Sequence, residues 1–241
     1  MDVAIITARG NNKSIPNKNL LELNGLPLLG HVIKAAKNAK LVKEVFVTTD
    51  CPLIEKYGKE QGCHIIRRPP EVRGDINHGI VIKHAVDYVD NLRDNVENVV
   101  ILLGNSVMLN GKLIDKALKI LREKKDIDSV MSVWKAVDDH PYRALQIKDG
   151  LLVPHGLSDD VHTSRQTYPD VFFYDQGVWA FRKECVYTKE GPRPWWWMGK
   201  KCHPIIRNWV GGRDIHNALD LAISEWWLSL SDEEIERLEN L

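Results

Sequence analysis

No stretch of this 241-residue chain approaches the roughly 20 consecutive apolar residues that a membrane-spanning helix needs, so no membrane partner is expected. Net charge is lacking as well: 33 lysines and arginines offset 33 aspartates and glutamates. Nothing global draws the chain to nucleic acid, and any basic site has to be local. The four cysteines, Cys51, Cys63, Cys185 and Cys202, form no CxxC pair. That spacing argues against structural zinc or a disulfide framework and for reduced thiols in the cytoplasm. The amino terminus shows no basic segment ahead of an apolar core, so Val3 to Thr7 is read as structure and not as a secretion signal. Neither a Walker A pattern nor GxGxxG follows that segment, which removes both of those phosphate-binding devices.

What is present has the ordinary balance of a soluble globular protein, with 44% apolar and 27% charged residues. The length suits one large α/β domain or two small ones, and the chain is read as one domain over residues 1–241. The β-branched run Val3 to Thr7 reads as a buried strand. It breaks into a small, polar, basic loop with Arg9, Gly10, Lys13, Pro16 and Lys18. A strand ending this way presents backbone N–H groups and fixed positive charge at the carboxyl edge of a sheet, where open α/β sheets bind ligands. The ligand favoured there is an anion such as a phosphate.

The alternation continues along the chain. Leu28, Leu29, Val32, Ile33 and Ala36 recur at helical spacing up to about Asn38. Glu44 to Asp50 is a second strand, Pro52 to about Gly62 a helix, and Cys63 to Ile66 a third strand. Ile76 to Leu92 reads as a helix, and the apolar run Asn98 to Leu103 as a central strand. A helix from Lys112 to Lys124 and a strand from Ser129 to Trp134 follow. Such a pattern implies a doubly wound, mostly parallel, Rossmann-like sheet. Beyond it lie an Asp149-Gly150 hairpin signal, three adjacent tryptophans (Trp195 to Trp197) read as packing, an Asn217 helix cap and a Ser231–Glu234 capping box.

Seven ordered segments then carry a resemblance. ARGNNKSIPNKN (residues 8–19) resembles the ARGGSKGIPxKN signature of the CMP-sialic acid synthetases, the acylneuraminate cytidylyltransferases. VFVTTD (residues 45–50) resembles their VxVSTD element, and Arg68-Pro69-Pro70-Glu71-Val72-Arg73-Gly74-Asp75 their RPxELxxD element. His140 to Leu145 is similar to HPYKAL, and Ser164-Arg165-Gln166 with Pro169 to RRQxxP. Tyr174 to Trp179 resembles the strand pair YxxNGAIY, with Gln176 in place of asparagine. Asp214 to Leu221 is similar to DIDTPEDL, with His216 at the third position. The largest departure is at LLQPTSPLR, where this chain reads Leu102-Leu103-Gly104-Asn105-Ser106-Val107-Met108-Leu109-Asn110, without the glutamine that approaches the acceptor in that family.

The resemblance implies a nucleotidyltransferase fold with an inserted β-rich arm at about 140–182 that forms a homodimer. It implies CTP bound by Ala8, Arg9, Gly10, Lys13, Lys18, Asn19 and Arg68, the last reaching the base. Arg143, Arg165 and Gln166 would hold the acceptor, arginine's planar fork suiting a carboxylate or phosphate. Magnesium would sit on Asp214 and His216, with Arg9, Lys18 and Asp214 serving the chemistry. Two acids one residue apart on a strand share a face; imidazole is a poorer magnesium ligand than carboxylate. The expected reaction moves CMP from CTP to a small acidic acceptor, a sialic-acid-like nonulosonic acid, and releases pyrophosphate. A phosphonate or phosphorylated acceptor, and a nucleotide-binding relative without turnover, are the alternatives.

Overall fold

Val3 to Ile6 are apolar on both sides of the strand they form, and both sides are covered. The computed structural model describes residues 1–10, 15–155 and 164–239. In chain order the strands are β1 (Asp2–Thr7), β2 (Glu22–Leu23), β3 (Leu26–Pro27), β4 (Val42–Thr49), β5 (His64–Arg67), β6 (Asn98–Leu103), β7 (Ser129–Lys135), β8 (Leu145–Lys148), β9 (Leu151–Pro154), β10 (Phe172–Arg182) and β11 (Cys202–Arg207). The helices are α1 (Leu28–Asn38), α2 (Pro52–Glu60), α3 (His78–Leu92), α4 (Gly111–Glu123), α5 (Cys185–Thr188), α6 (Ala218–Ser229) and α7 (Asp232–Glu239).

Seven strands form one sheet in the order β11-β7-β10-β6-β1-β4-β5. All run parallel except β10, which is antiparallel to both β6 and β7. Side chains of β1 alternate between two cores. Ala4 and Ile6 pack with Leu29 and Ile33 of α1 and Ile114 and Leu118 of α4. Val3 and Ile5 pack with Phe46, Ile82 and Val86 of α3, and Trp197. A smaller cluster under α6 joins Leu28, Met108, Ile215 and Trp227.

The doubly wound reading holds for β1, β4, β5, β6 and β7, the five strands expected; β11 at the sheet's edge was not among them. Asn217 caps α6 in a full capping box with Asp220, and Ser231 and Glu234 cap α7 in the same way. Asp149 and Gly150 both take positive φ between β8 and β9, the type I′ geometry their dipeptide signals. The tryptophan reading holds for Trp197, fully packed in the α3-side core.

Three features differ from expectation. Phe172 to Arg182 is one continuous strand with a bulge between Tyr174 and Trp179, not a strand pair. It belongs to the central sheet, so the end of the stretch expected as an arm does not stand off it. Asp214 and His216, expected on a strand, lie on none; they sit in irregular chain leading into α6.

Candidate active site

Parallel strands end together, so the loops after β1, β4, β5 and β6 share the carboxyl edge of the sheet. The break in strand order between β1 and β6 opens a crevice there. Ala8 is buried and its N–H donates to Thr48 O. Gly10 N–H donates to Asp50 Oδ1 at 2.8 Å, and a Cβ at Gly10 would lie 2.5 Å from Cys51 Cβ, so only glycine lets the loop lie against the start of α2. Asn19 is buried and donates from Nδ2 to Arg9 O at 2.8 Å, closing the loop on itself. Lys13 lies outside the described residues.

Three cations meet at this edge. Arg9 Nη1 contacts Asp75 at 3.3 Å. Lys18 is buried and donates from Nζ to Ile215 O. Arg68, 4% exposed, donates from Nε to Thr48 Oγ1 and from Nη2 to Thr48 O. Burial lowers the Lys18 pKa, with Asp214 and Asp220 opposing and Arg9 adding to it. Burial also brings Arg68 down to about 10, Asp50 opposing and Arg9 again adding. Each lies within reach of the Arg9 charge. A crevice whose cations disfavour one another gains when an anion enters it.

Opposite the loop lies Asp214. Its Oδ2 accepts from Asn105 Nδ2 at 2.9 Å, and its Oδ1 meets His216 Nε2 at 2.8 Å. Asp214 and His216 therefore do come together, although from irregular chain; Ile215 between them is fully buried and anchors the turn. The carboxyl-terminal side of this segment is fixed by Asp220, which accepts from Arg213 and from the N–H groups of His216 and Asn217. Among the described residues no three His, Cys, Asp or Glu side chains cluster as a metal cage.

Beside the loop is a cavity of about 550 Å³, lined by Thr49, Asp50, Cys51, Lys56, Arg68 and Arg73 among others. Neither Lys18 nor Asp214 lines it. Its size is within the range of small-molecule sites.

The family profile for cytidylyltransferases matches residues 3–149. This chain belongs to the cytidylyltransferase family. It is 34% identical to the N-acylneuraminate cytidylyltransferase of Oncorhynchus mykiss over 147 residues, 61% of this chain and 32% of that protein. It is 27% identical over 192 residues to the protein of the same name from Streptococcus agalactiae serotype V, covering 78% of this chain and 45% of the relative. The chain thus spans a third to about half the length of these curated relatives. Its fold is similar to that of a CMP:2-keto-3-deoxy-manno-octonic acid synthetase complexed with CTP. That likeness has a TM-score of 0.69 at 16% identity, over 95% of this chain and 98% of the other. A 4-diphosphocytidyl-2C-methyl-D-erythritol synthase from Anaerococcus prevotii follows at TM-score 0.67 and 17% identity, covering 95% and 96%.

Within this cytidylyltransferase-family fold, Ala8, Arg9, Gly10, Lys18, Asn19, Arg68, Asp214 and His216 share one edge. Arg143 and Arg165 also converge, but on Asp138, at 3.0 and 3.2 Å, and Gln166 is exposed next to them. Among the described residues, their polar contacts do not reach the Ala8–Asn19 loop.

Two residues of the crevice escaped the sequence reading. Asn105 orients Asp214; its signal was a polar residue two positions past the end of a central strand. His78 begins α3, contacts Thr7 Oγ1 at 3.1 Å and packs edge-on against Trp179 and Trp197. Burial, then Arg68 and Arg9, bring its pKa down to about 4. The imidazole is neutral, adding no fourth cation. Its signal was a histidine three residues past the RPxELxxD-like element.

Proposed function

We propose that this chain transfers CMP from CTP to a nonulosonic acid and releases pyrophosphate. The observation that carries the reading is the gathering of buried Lys18, buried Arg68 and Arg9 at the carboxyl edge, with Lys18 Nζ bonded to Ile215 O beside Asp214. The printed names of the relatives support the acceptor class: N-acylneuraminate cytidylyltransferases, and in Helicobacter pylori a bifunctional protein that includes a pseudaminic acid cytidylyltransferase.

Ala8 and Gly10 line the backbone under the nucleotide, Arg68 and the adjacent cavity take the base side, and Arg9 and Lys18 face the phosphates. The acceptor's hydroxyl oxygen attacks the α-phosphorus in line. The new O–P bond forms as the bond from that phosphorus to the bridging oxygen breaks, pyrophosphate carries off the electron pair, and the hydroxyl proton passes to solvent. Lys18 and Arg9 stabilise charge that grows on the phosphates, so positioning and electrostatics do the work without a nucleophilic side chain.

Magnesium fits the donor set in a limited way. One carboxylate with substrate phosphates is a common magnesium arrangement, and Asp214 is that carboxylate; His216 adds a weaker ligand. When bound, the ion would offset triphosphate charge. Arg143, Arg165 and Gln166 on the arm are assigned to the acceptor's anion, reaching a neighbouring copy's site.

That assignment needs a homodimer. β8 and β9 are apolar on one face, where Leu145 and Ile147 lie opposite Pro154 and Leu152. The exposures are 57% for Leu145, 76% for Ile147 and 69% for Leu152. A two-stranded ribbon is barely stable alone, and a second copy would cover it. A reducing compartment such as the cytoplasm agrees with four free cysteines. Among the described residues no helix is long and apolar enough to cross a membrane.

Calorimetric titration of the four nucleoside triphosphates, with and without magnesium, tests the site. CTP should bind tightest, more tightly with magnesium, and Asp214→Asn should remove the magnesium effect. Equal affinity for all four would contradict the assignment of the base side.

A further inference from the structure

The backbone that carries Asp214 is held from behind by a buried pair. Arg207 ends β11 with its side chain 4% exposed. Its Nη2 donates to Met108 O at 2.9 Å and to Glu239 Oε1 of α7 at 2.7 Å, and Nε donates to the same carboxylate at 3.1 Å. Its Nη1 has no hydrogen bond among the described residues and faces Asp175 Oδ2 at 3.5 Å. Asp175 lies in the β10 bulge, fully buried, with Oδ1 accepting from the Ser132 hydroxyl and from Gly177 N–H. Burial raises its pKa, with Arg207 opposing.

Gly211 and Gly212 close directly over this pair. A Cβ at Gly212 would lie 2.5 Å from Asp175 Cβ, and one at Gly211 would lie 2.7 Å from Arg207 Nη2 and from Glu239 Oε1. Gly212 O accepts from Gln176 N–H at 3.0 Å. Parting the two would leave Arg207 Nη1 and Asp175 Oδ2, both buried, facing no polar group, which is costly. The glycines therefore have one seat, and Asp214 follows two residues later.

We infer that Arg207 is a positioning residue for Asp214, and that Glu239 on α7 holds Arg207 in place. The inference rests on the reading of Asp214 as the carboxylate at the phosphate end. It links the last helix to the chemistry: releasing α7 lets the guanidinium turn away, and the 211–216 segment loosens while the sheet stays intact.

Amide hydrogen exchange on the ligand-free full chain tests this without any turnover. In Glu239→Ala, the amides of Gln176 and Ile215, which bond to Gly212 O and Asn105 O, should exchange roughly tenfold faster or more. Amides of β1 and β4 should be unchanged. Glu239→Gln, which keeps an acceptor for Arg207, should restore most of the protection. Gly212→Ala, which pushes on Asp175 from the other side, should reproduce the Glu239→Ala pattern. In assays, Glu239→Ala should lower kcat and raise the magnesium needed for half-maximal rate, with the KM for CTP nearly unchanged. Unchanged exchange at Gln176 and Ile215, or equal acceleration across the whole sheet, would overturn the inference. Local loosening in a protein that never turns over CTP would instead remove the proposed function and leave the positioning role standing.

Discussion

Lys18 and Gly104 show how single residues decide this site. Lys18 is buried and aimed at the Asp214 segment, so its work should appear as charge grows on the phosphates. Lys18→Ala should lower turnover on the order of 10²- to 10³-fold with a smaller effect on CTP affinity; steady-state kinetics on purified variants would show it. Gly104 replaces the glutamine of the resembled family, and the structure gives a reason. A Cβ there would lie 2.9 Å from Asn19 Oδ1 and 3.0 Å from Ala8 Cβ. Gly104→Gln should therefore displace the loop and weaken CTP binding, not recover an acceptor contact, and calorimetry would distinguish the two. His78 predicts a pH effect. Its pKa is about 4 in the fold against an ordinary value near 6.5. As pH falls from about 6.5 towards 4, the unfolded chain takes up a proton that the native imidazole refuses, so stability drops across that window. The loss is on the order of 2–3 kcal/mol at its lower end. His78→Gln should flatten that part of the stability-versus-pH curve in denaturant melts.

At the scale of elements, how far the chain could be read depended on how local each signal was. β1, β4, β6 and β7 announced themselves because β-branched runs buried on both faces have few other readings, and the caps of α6 and α7 are short-range chemistry. The direction of β10 was not legible. A strand antiparallel to its neighbours differs from them only in long-range pairing, and the Tyr174–Trp179 bulge that bends it has no sequence mark. The 213–217 segment misled for a related reason: alternation of Asp214, Ile215 and His216 suits a strand, but no neighbouring strand is there to pair with it. Of the site, the loop residues were readable as an ordered motif, while Asn105, Arg207 and Asp175 act through contacts from residues up to about a hundred positions away. The β8–β9 hairpin carries its own test. Ile147→Lys should convert a dimer to a monomer in analytical ultracentrifugation with the sheet's far-ultraviolet spectrum preserved. A parent chain already monomeric at micromolar concentration would remove the arm from the account.

For the whole molecule, zero net charge and a locally basic crevice belong together. The protein carries no general attraction for polyanions, yet it gathers Arg9, Lys18 and Arg68 at the one edge where a parallel sheet exposes its loops. The family membership explains the edge; the three cations and Asp214 specify what it would hold. The decisive measurement is pyrophosphate release, followed with each of the four nucleoside triphosphates, magnesium and a panel of nonulosonic, phosphonate and phosphorylated acceptors. CTP with a nonulosonic acid should give pyrophosphate and the CMP conjugate in equal amounts, and Asp214→Asn should nearly abolish both. No release with any pairing, release that needs no acceptor, or an Asp214→Asn protein as active as the parent would contradict the account.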